Sequence, residues 1–110
     1  MDTSPATSVE NTLSAIPEEY VLQEAYPNPF NPSTRIRCGL PEQSRVKLEV
    51  YNMLGNVVAE LVSGERSKGL YEVEWRAENQ PSGVYLVRVF SESVETSKRF
   101  IASRKIVLVK

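Results

Sequence analysis

Arg45-Val46-Lys47-Leu48-Glu49-Val50-Tyr51 alternates charged and apolar side chains without a break. Successive side chains of an extended chain point to opposite faces, so Val46, Leu48 and Val50 share one face. Arg45, Lys47 and Glu49 share the other. A period of two over this length predicts a half-buried β-strand.

The same period recurs on both sides. Upstream, Arg35-Ile36-Arg37-Cys38-Gly39-Leu40 puts Ile36, Cys38 and Leu40 on one face and the arginines on the other, and Pro41-Glu42-Gln43-Ser44 reads as the turn between strands. Downstream, Asn52-Met53-Leu54-Gly55-Asn56 reads as a hairpin turn in which Gly55 supplies a positive φ. Val57 to Val62 returns as a strand, and Ser63 to Gly69 reads as a polar loop. Tyr71, Val73 and Trp75 then alternate with Glu72, Glu74 and Arg76, which places the single tryptophan on an apolar face. Pro81-Ser82-Gly83 signals a turn. Val84 to Phe90 is apolar on nearly both faces and predicts a central strand covered on each side. Ser91-Glu92-Ser93 reads as a short turn, and Val94 to Ile101 and Lys105 to Lys110 supply the last one or two strands. Tyr20-Val21-Leu22 makes a short first strand with Tyr20 and Leu22 on one face.

With no helical period anywhere, these elements predict an all-β fold, an antiparallel β-sandwich of about seven strands. Two sheets bury their apolar faces only against each other. Polar turns separate most strands, so hairpin connections are expected to dominate.

Ahead of the first long strand stands Tyr26-Pro27-Asn28-Pro29-Phe30-Asn31-Pro32-Ser33-Thr34. Its prolines fix φ and remove backbone donors, which excludes a helix or a central strand. Residues preceding the prolines are driven to extended geometry, and the asparagines suit turns. Phe30 has no polar handle and is expected to drop into the core while the prolines hold the chain rigid. Residues 1–17 are rich in Ser, Thr, Ala and Pro and lack aromatic residues. They read as a flexible linker before a domain spanning 18–110.

The composition narrows the chemistry. Thirteen basic and 14 acidic residues leave a net charge of −1, which gives no electrostatic footprint for nucleic acid or anionic membrane. No apolar run is long enough for a transmembrane segment. Met1 to Glu10 is polar and lacks an apolar signal-peptide core, so if the protein is exported its signal lies on a longer precursor or export uses another route. The lone cysteine, Cys38, cannot form an internal disulfide and is expected to be a buried, inert thiol. Histidine is absent from the chain, which removes the Ser-His-acid triad and the commonest metal ligand. Glu72 and Glu74 lie two apart on one strand face, where a solvated pair is the ordinary reading. Tyr71, Trp75 and Tyr85 would make a sugar-binding platform if exposed, but their register favours the core. The expectation is a protein that is not an enzyme and uses no metal or cofactor. Its terminus carries two basic–apolar stretches, Lys98-Arg99-Phe100-Ile101 and Arg104 to Lys110. Such a strand end either carries charged flanks that discourage edge pairing or offers a recognition edge for capture by a partner, and composition alone does not choose.

Several residues in order resemble the C-terminal sorting domain of the type IX (Por) secretion system. They are Tyr20-Val21-Leu22, the Pro27-Asn28-Pro29-Phe30-Asn31-Pro32 motif, Leu40-Pro41, Val50-Tyr51-Asn52, Gly55, Gly69, Trp75 and Ser82-Gly83-Val84-Tyr85, followed by the basic–apolar terminus. The motifs are also similar to those of flagellar hook-capping Ig-like domains. The resemblance covers about Glu18 to Lys110 and implies an Ig-like β-sandwich attached to an N-terminal cargo domain. It further implies a periplasmic intermediate, an outer-membrane translocon, a sortase-like protease, and a secreted or cell-surface destination. The family's signal falls on Lys105, Ile106, Val107, Leu108, Val109 and Lys110. An Ig-like accessory or carbohydrate-binding module of a surface enzyme is the alternative.

Overall fold

The computed structural model describes residues 17–110. Through them run β1 (Val21–Leu22), β2 (Ser33–Leu40), β3 (Ser44–Tyr51), β4 (Val57–Arg66), β5 (Gly69–Arg76), β6 (Gly83–Ser93) and β7 (Arg99–Leu108). Every pairing between these seven strands is antiparallel. One sheet has the order β1-β2-β5 and the other β4-β3-β6-β7. The expected all-β sandwich is therefore present, with seven strands. Constant immunoglobulin domains pair the fourth strand with the fifth. Here β4 has moved to the other sheet, beside β3.

The faces follow the alternation. Ile36, Cys38 and Leu40 from β2 meet Val46, Leu48 and Val50 from β3, Val87 and Val89 from β6, and Ile106 and Leu108 from β7. Each fully buried aliphatic side chain contributes about 1.5–3 kcal/mol. Leu22 is buried with them, and Tyr20 packs at the margin with its ring stacked on Phe100 at 5.7 Å. Pro17 lies across Gly39 in β2, where a Cβ would come within 2.8 Å of its ring. Among residues 1–17, the expected linker, only Pro17 is described.

Four expectations need correction. First, β4 does not stop at Val62. Ser63, Gly64, Glu65 and Arg66 continue the ladder opposite Lys47, Val46, Arg45 and Ser44. On an edge strand the backbone ladder can outlast the apolar side chains, so a polar stretch hides a strand. The loop shrinks to Ser67-Lys68.

Second, Ser91-Glu92-Ser93 is strand, and the chain turns after it, at 94–98. The Ser93 Oγ accepts from the Glu95 and Thr96 amides, and Ser97 takes φ 63°. Third, β6 is central but covered on one face only. Tyr85, Val87 and Val89 are buried, whereas Leu86 and Arg88 are exposed on the outer face. Both basic–apolar stretches then lie on β7 and its flanks, as a single terminal strand.

Fourth, hairpins do not dominate. The steps β2 to β3, β4 to β5 and β5 to β6 each pass between sheets. A polar turn in the sequence does not say whether the next strand stays in its sheet or crosses.

Candidate recognition site at the terminal strand

After β1 the chain keeps tracking β2. The Gln23 amide donates to Arg37 O at 2.9 Å, and Tyr26 and Arg35 exchange backbone bonds at 3.0 and 2.9 Å. Pro27 to Pro32 then cross from the first sheet to the outer edge of β7. The peptide bonds before Pro27, Pro29 and Pro32 are cis. Thr34, buried, donates its hydroxyl to Pro27 O at 2.7 Å, and the Ala77 amide donates to Pro32 O at 2.9 Å. Both ends of the crossing are thereby tied to the sandwich.

The middle of the crossing docks on β7. The Phe30 amide donates to Val107 O at 2.9 Å, and the Val109 amide donates to Phe30 O at 2.9 Å. Asn28 adds a side-chain version of the same pairing. Its Nδ2 donates to Lys105 O at 3.0 Å, and its Oδ1 accepts the Val107 amide at 2.9 Å. Residues 28–30 act as a short parallel strand laid along β7. Phe30 meanwhile points inward and is 1% exposed. Its ring centroid lies 5.6 Å from that of Trp75, which meets Tyr85 edge-on at 5.3 Å. Phe30, Trp75 and Tyr85 thus form one aromatic cluster across the two layers.

Tyr85 also ties a corner. Its hydroxyl donates to Pro81 O, four residues upstream, the arrangement that closes the turn before the sixth strand in immunoglobulin-type sandwiches. Gly55 takes φ +89° in the β3–β4 turn, where Asn52 Oδ1 accepts from the Leu54 and Asn56 amides at 3.0 Å. Gly69 and Gly83 open β5 and β6. Pro27, Asn28, Pro29 and Asn31 are exposed, and Pro32 is half-buried.

The six terminal residues divide by face. Ile106 and Leu108 are fully buried, Val107 is half-buried on the outer face, and Lys105, Val109 and Lys110 are exposed. Lys110 Nζ donates to Glu78 O at 2.9 Å. Upstream, Arg104 Nε donates to Leu22 O at 3.0 Å, pinning β1 over β7. The structure therefore brings Asn28 and Phe30 onto Lys105 to Val109, two regions nearly 80 residues apart in sequence. Gly55 and Gly69 lie in the fold's turns and strand starts, away from that contact.

Elsewhere the polar chemistry is ordinary. Glu72 and Glu74 sit on the outer face of β5, and Arg37 holds Glu72 at 3.2 Å. Burial pushes the Cys38 thiol up to about 11. Among the described residues, no three His, Cys, Asp or Glu side chains gather as a metal site. No helix there is long and apolar enough to cross a membrane. Trp75 and Tyr85 are buried, so the aromatic residues do not form an exposed sugar platform. The capping role of Asn28 was missed by sequence reasoning: an asparagine between prolines signals a turn, and nothing local shows that its amide faces a distant strand.

The class defined by this arrangement is an immunoglobulin-type β-sandwich whose N-terminal crossing segment seals part of its terminal strand. A family model described as "Secretion system C-terminal sorting domain" matches residues 24–103. The chain belongs to this family, the sorting domains of type IX secretion. Among solved structures, CopC from Methylosinus trichosporium OB3b is similar with a TM-score of 0.54 and 16% identity. That likeness covers 82% of this chain and 93% of CopC, and at such identity it concerns the fold alone. No curated protein matches the chain.

Proposed function

We propose that residues 18–110 form a non-catalytic signal that directs a larger precursor across the outer membrane through the type IX system. Residues 1–17 link it to an N-terminal cargo domain. The partners are the outer-membrane translocon and a sortase-like protease, reached from the periplasm, and the destination is the cell surface or the medium. Family membership over residues 24–103 is the observation that carries this reading.

Lys105 to Lys110 serve as the signal in this proposal. Ile106 and Leu108 anchor the strand, so deleting it would remove core residues. Asn28 and Phe30 occupy the outward backbone groups from Lys105 O to Val109 N, so the signal is read through side chains: Lys105, Val109 and Lys110.

The test fuses the whole chain behind a reporter in a bacterium that has the machinery. Lys105, Val109 and Lys110 are replaced together by alanine. Export of the reporter should fall at least tenfold while the melting temperature of the purified domain stays within a few degrees. Undiminished export of the triple variant would remove the terminal residues from the signal. Absence of export with the unaltered chain would remove the sorting role itself.

A further inference from the structure

β7 is an edge strand paired with β6 in unbroken register from Glu92↔Arg99 to Gly83↔Leu108. Alternate residues of such a strand turn their N–H and C=O outward together. Val107 is one of the outward set, so Arg99, Ile101 and Ser103 belong to it as well. Asn28 and Phe30 cover the set from Lys105 O onward. Among the described residues, no backbone partner meets the outward groups of Ile101 or Ser103. The edge is closed along one half of its length and open along the other.

The side chains around the open half favour one chemistry. Ile101 is 53% exposed beside Phe90, its register partner on β6. Ser103 is small and lies beside Arg88, with Lys105 next along the outer row. Neither Arg88 nor Lys105 meets a carboxylate within ion-pair distance among the described residues. By register Arg88 stands opposite Glu49 on β3, whereas Lys105 stands opposite Leu86, so Lys105 is the basic group here that has no acid across from it.

We propose that the open half of the β7 edge, at Ile101 and Ser103, takes an added strand from an extended acidic peptide segment. Its backbone would bond the outward groups of Ile101 and Ser103. An apolar side chain would rest on Ile101 and Phe90, and a carboxylate would lie over Ser103 between Arg88 and Lys105. Strand addition of this kind takes its affinity from the main chain and its specificity from alternate side chains. A second copy of this chain fits less well, since an antiparallel β7–β7 pair would bring Arg99, Arg104 and Lys105 of both copies together. The contact shares Lys105 with the proposed signal, but it is read on peptide binding, whereas the sorting role is read on reporter export.

The test titrates the full chain with a synthetic peptide of repeat Glu-Thr-Val-Thr, which alternates glutamate and valine along one strand face, and with a control peptide of repeat Lys-Thr-Val-Thr. Amide hydrogen exchange and fluorescence anisotropy are followed together. The acidic peptide should slow exchange at Ile101 and Ser103 at least tenfold, and the basic peptide should not. Ser103→Pro removes an outward donor on an edge, and Ile101→Lys sets a charge on an exposed position. Each should weaken binding at least tenfold, with Trp75 fluorescence reporting that the fold persists. Equal binding of both peptides, or unchanged exchange at Ile101 and Ser103, overturns the proposal. So does slowing that grows with protein concentration without peptide, which would put a second copy on the edge.

Discussion

Asn28 holds Val107 as a neighbouring strand would. Its Oδ1 accepts the Val107 amide at 2.9 Å while its Nδ2 reaches Lys105 O at 3.0 Å. One side-chain amide thus supplies the acceptor and donor that a peptide group would offer. An uncovered sheet edge invites unwanted pairing, and proteins commonly cover it with a loop. The Pro27–Pro32 crossing does so for the terminal half of β7.

Replacing Asn28 with alanine should therefore loosen the terminus more than it destabilises the whole. Asn28 is exposed, and a typical hydrogen bond contributes about 1 kcal/mol net, so the global loss should be about 1–2 kcal/mol. The sharper signature is local: the Val107 amide should exchange at least tenfold faster, with the Val87 and Val89 amides on β6 little changed. Urea denaturation and hydrogen exchange read the two effects separately. An unchanged Val107 rate would mean that Asn28 does not cap the strand.

Phe30 fixes the same crossing from the inside. Truncation to alanine leaves a hole against Trp75, and Phe→Ala changes in cores cost about 3–5 kcal/mol. Phe30→Leu keeps most of the volume and should cost clearly less. Trp75 emission should shift to the red in the alanine variant, since the ring beside it is gone. A loss below about 1 kcal/mol for Phe30→Ala would show that the crossing is not anchored by this ring.

These two residues also mark where sequence reading succeeds and where it stops. Phe30 was legible, because an apolar ring among prolines has nowhere to go but inward. The faces of β2, β3 and β5 were legible for a related reason: Ile36, Leu48 and Trp75 each sit in a period of two. Asn28 was not, since its partners lie 77 and 79 residues away and the period carries no information about such contacts. The far end of β4 escaped because Gly64 and Glu65 are exposed and are held by backbone pairing to Val46 and Arg45. Leu86 misled in the opposite direction. An exposed leucine on a central strand looks in sequence like a buried one.

Two buried hydroxyls should behave in opposite ways. Tyr85 donates to Pro81 O at the corner before β6. Tyr85→Phe keeps the ring in the aromatic cluster and removes only that bond, so it should cost about 1 kcal/mol. Ser91 is also buried, but among the described residues its Oγ has no partner. Burying a polar group without a bond is unfavourable, so Ser91→Ala should be neutral or stabilising by up to about 1 kcal/mol. Paired denaturation curves decide the matter. A large loss for Ser91→Ala would point to an ordered water bonded at that site.

The Cys38 thiol makes the stability of the fold fall at alkaline pH. Burial raises its pKa from an ordinary 9.0 to about 11, because the thiolate is poorly solvated between Ile36 and Leu40. In the unfolded chain it ionises near 9.0, so above that pH ionisation lowers the free energy of the unfolded state and not that of the folded state. This contribution is fully present below 9.0 and is lost as pH rises through about 11, on the order of 2 kcal/mol in total. Other groups titrate in the same range, so the measurement is a difference between the natural chain and Cys38→Ala. At neutral pH the alanine variant should be the less stable, by about 1 kcal/mol for the lost volume. The gap should close and then reverse between 9.0 and 11. Iodoacetamide should also leave the folded chain unmodified at pH near 8 and label it promptly in denaturant. Parallel pH profiles for the two proteins, or rapid labelling of the folded one, would place the thiol in contact with water.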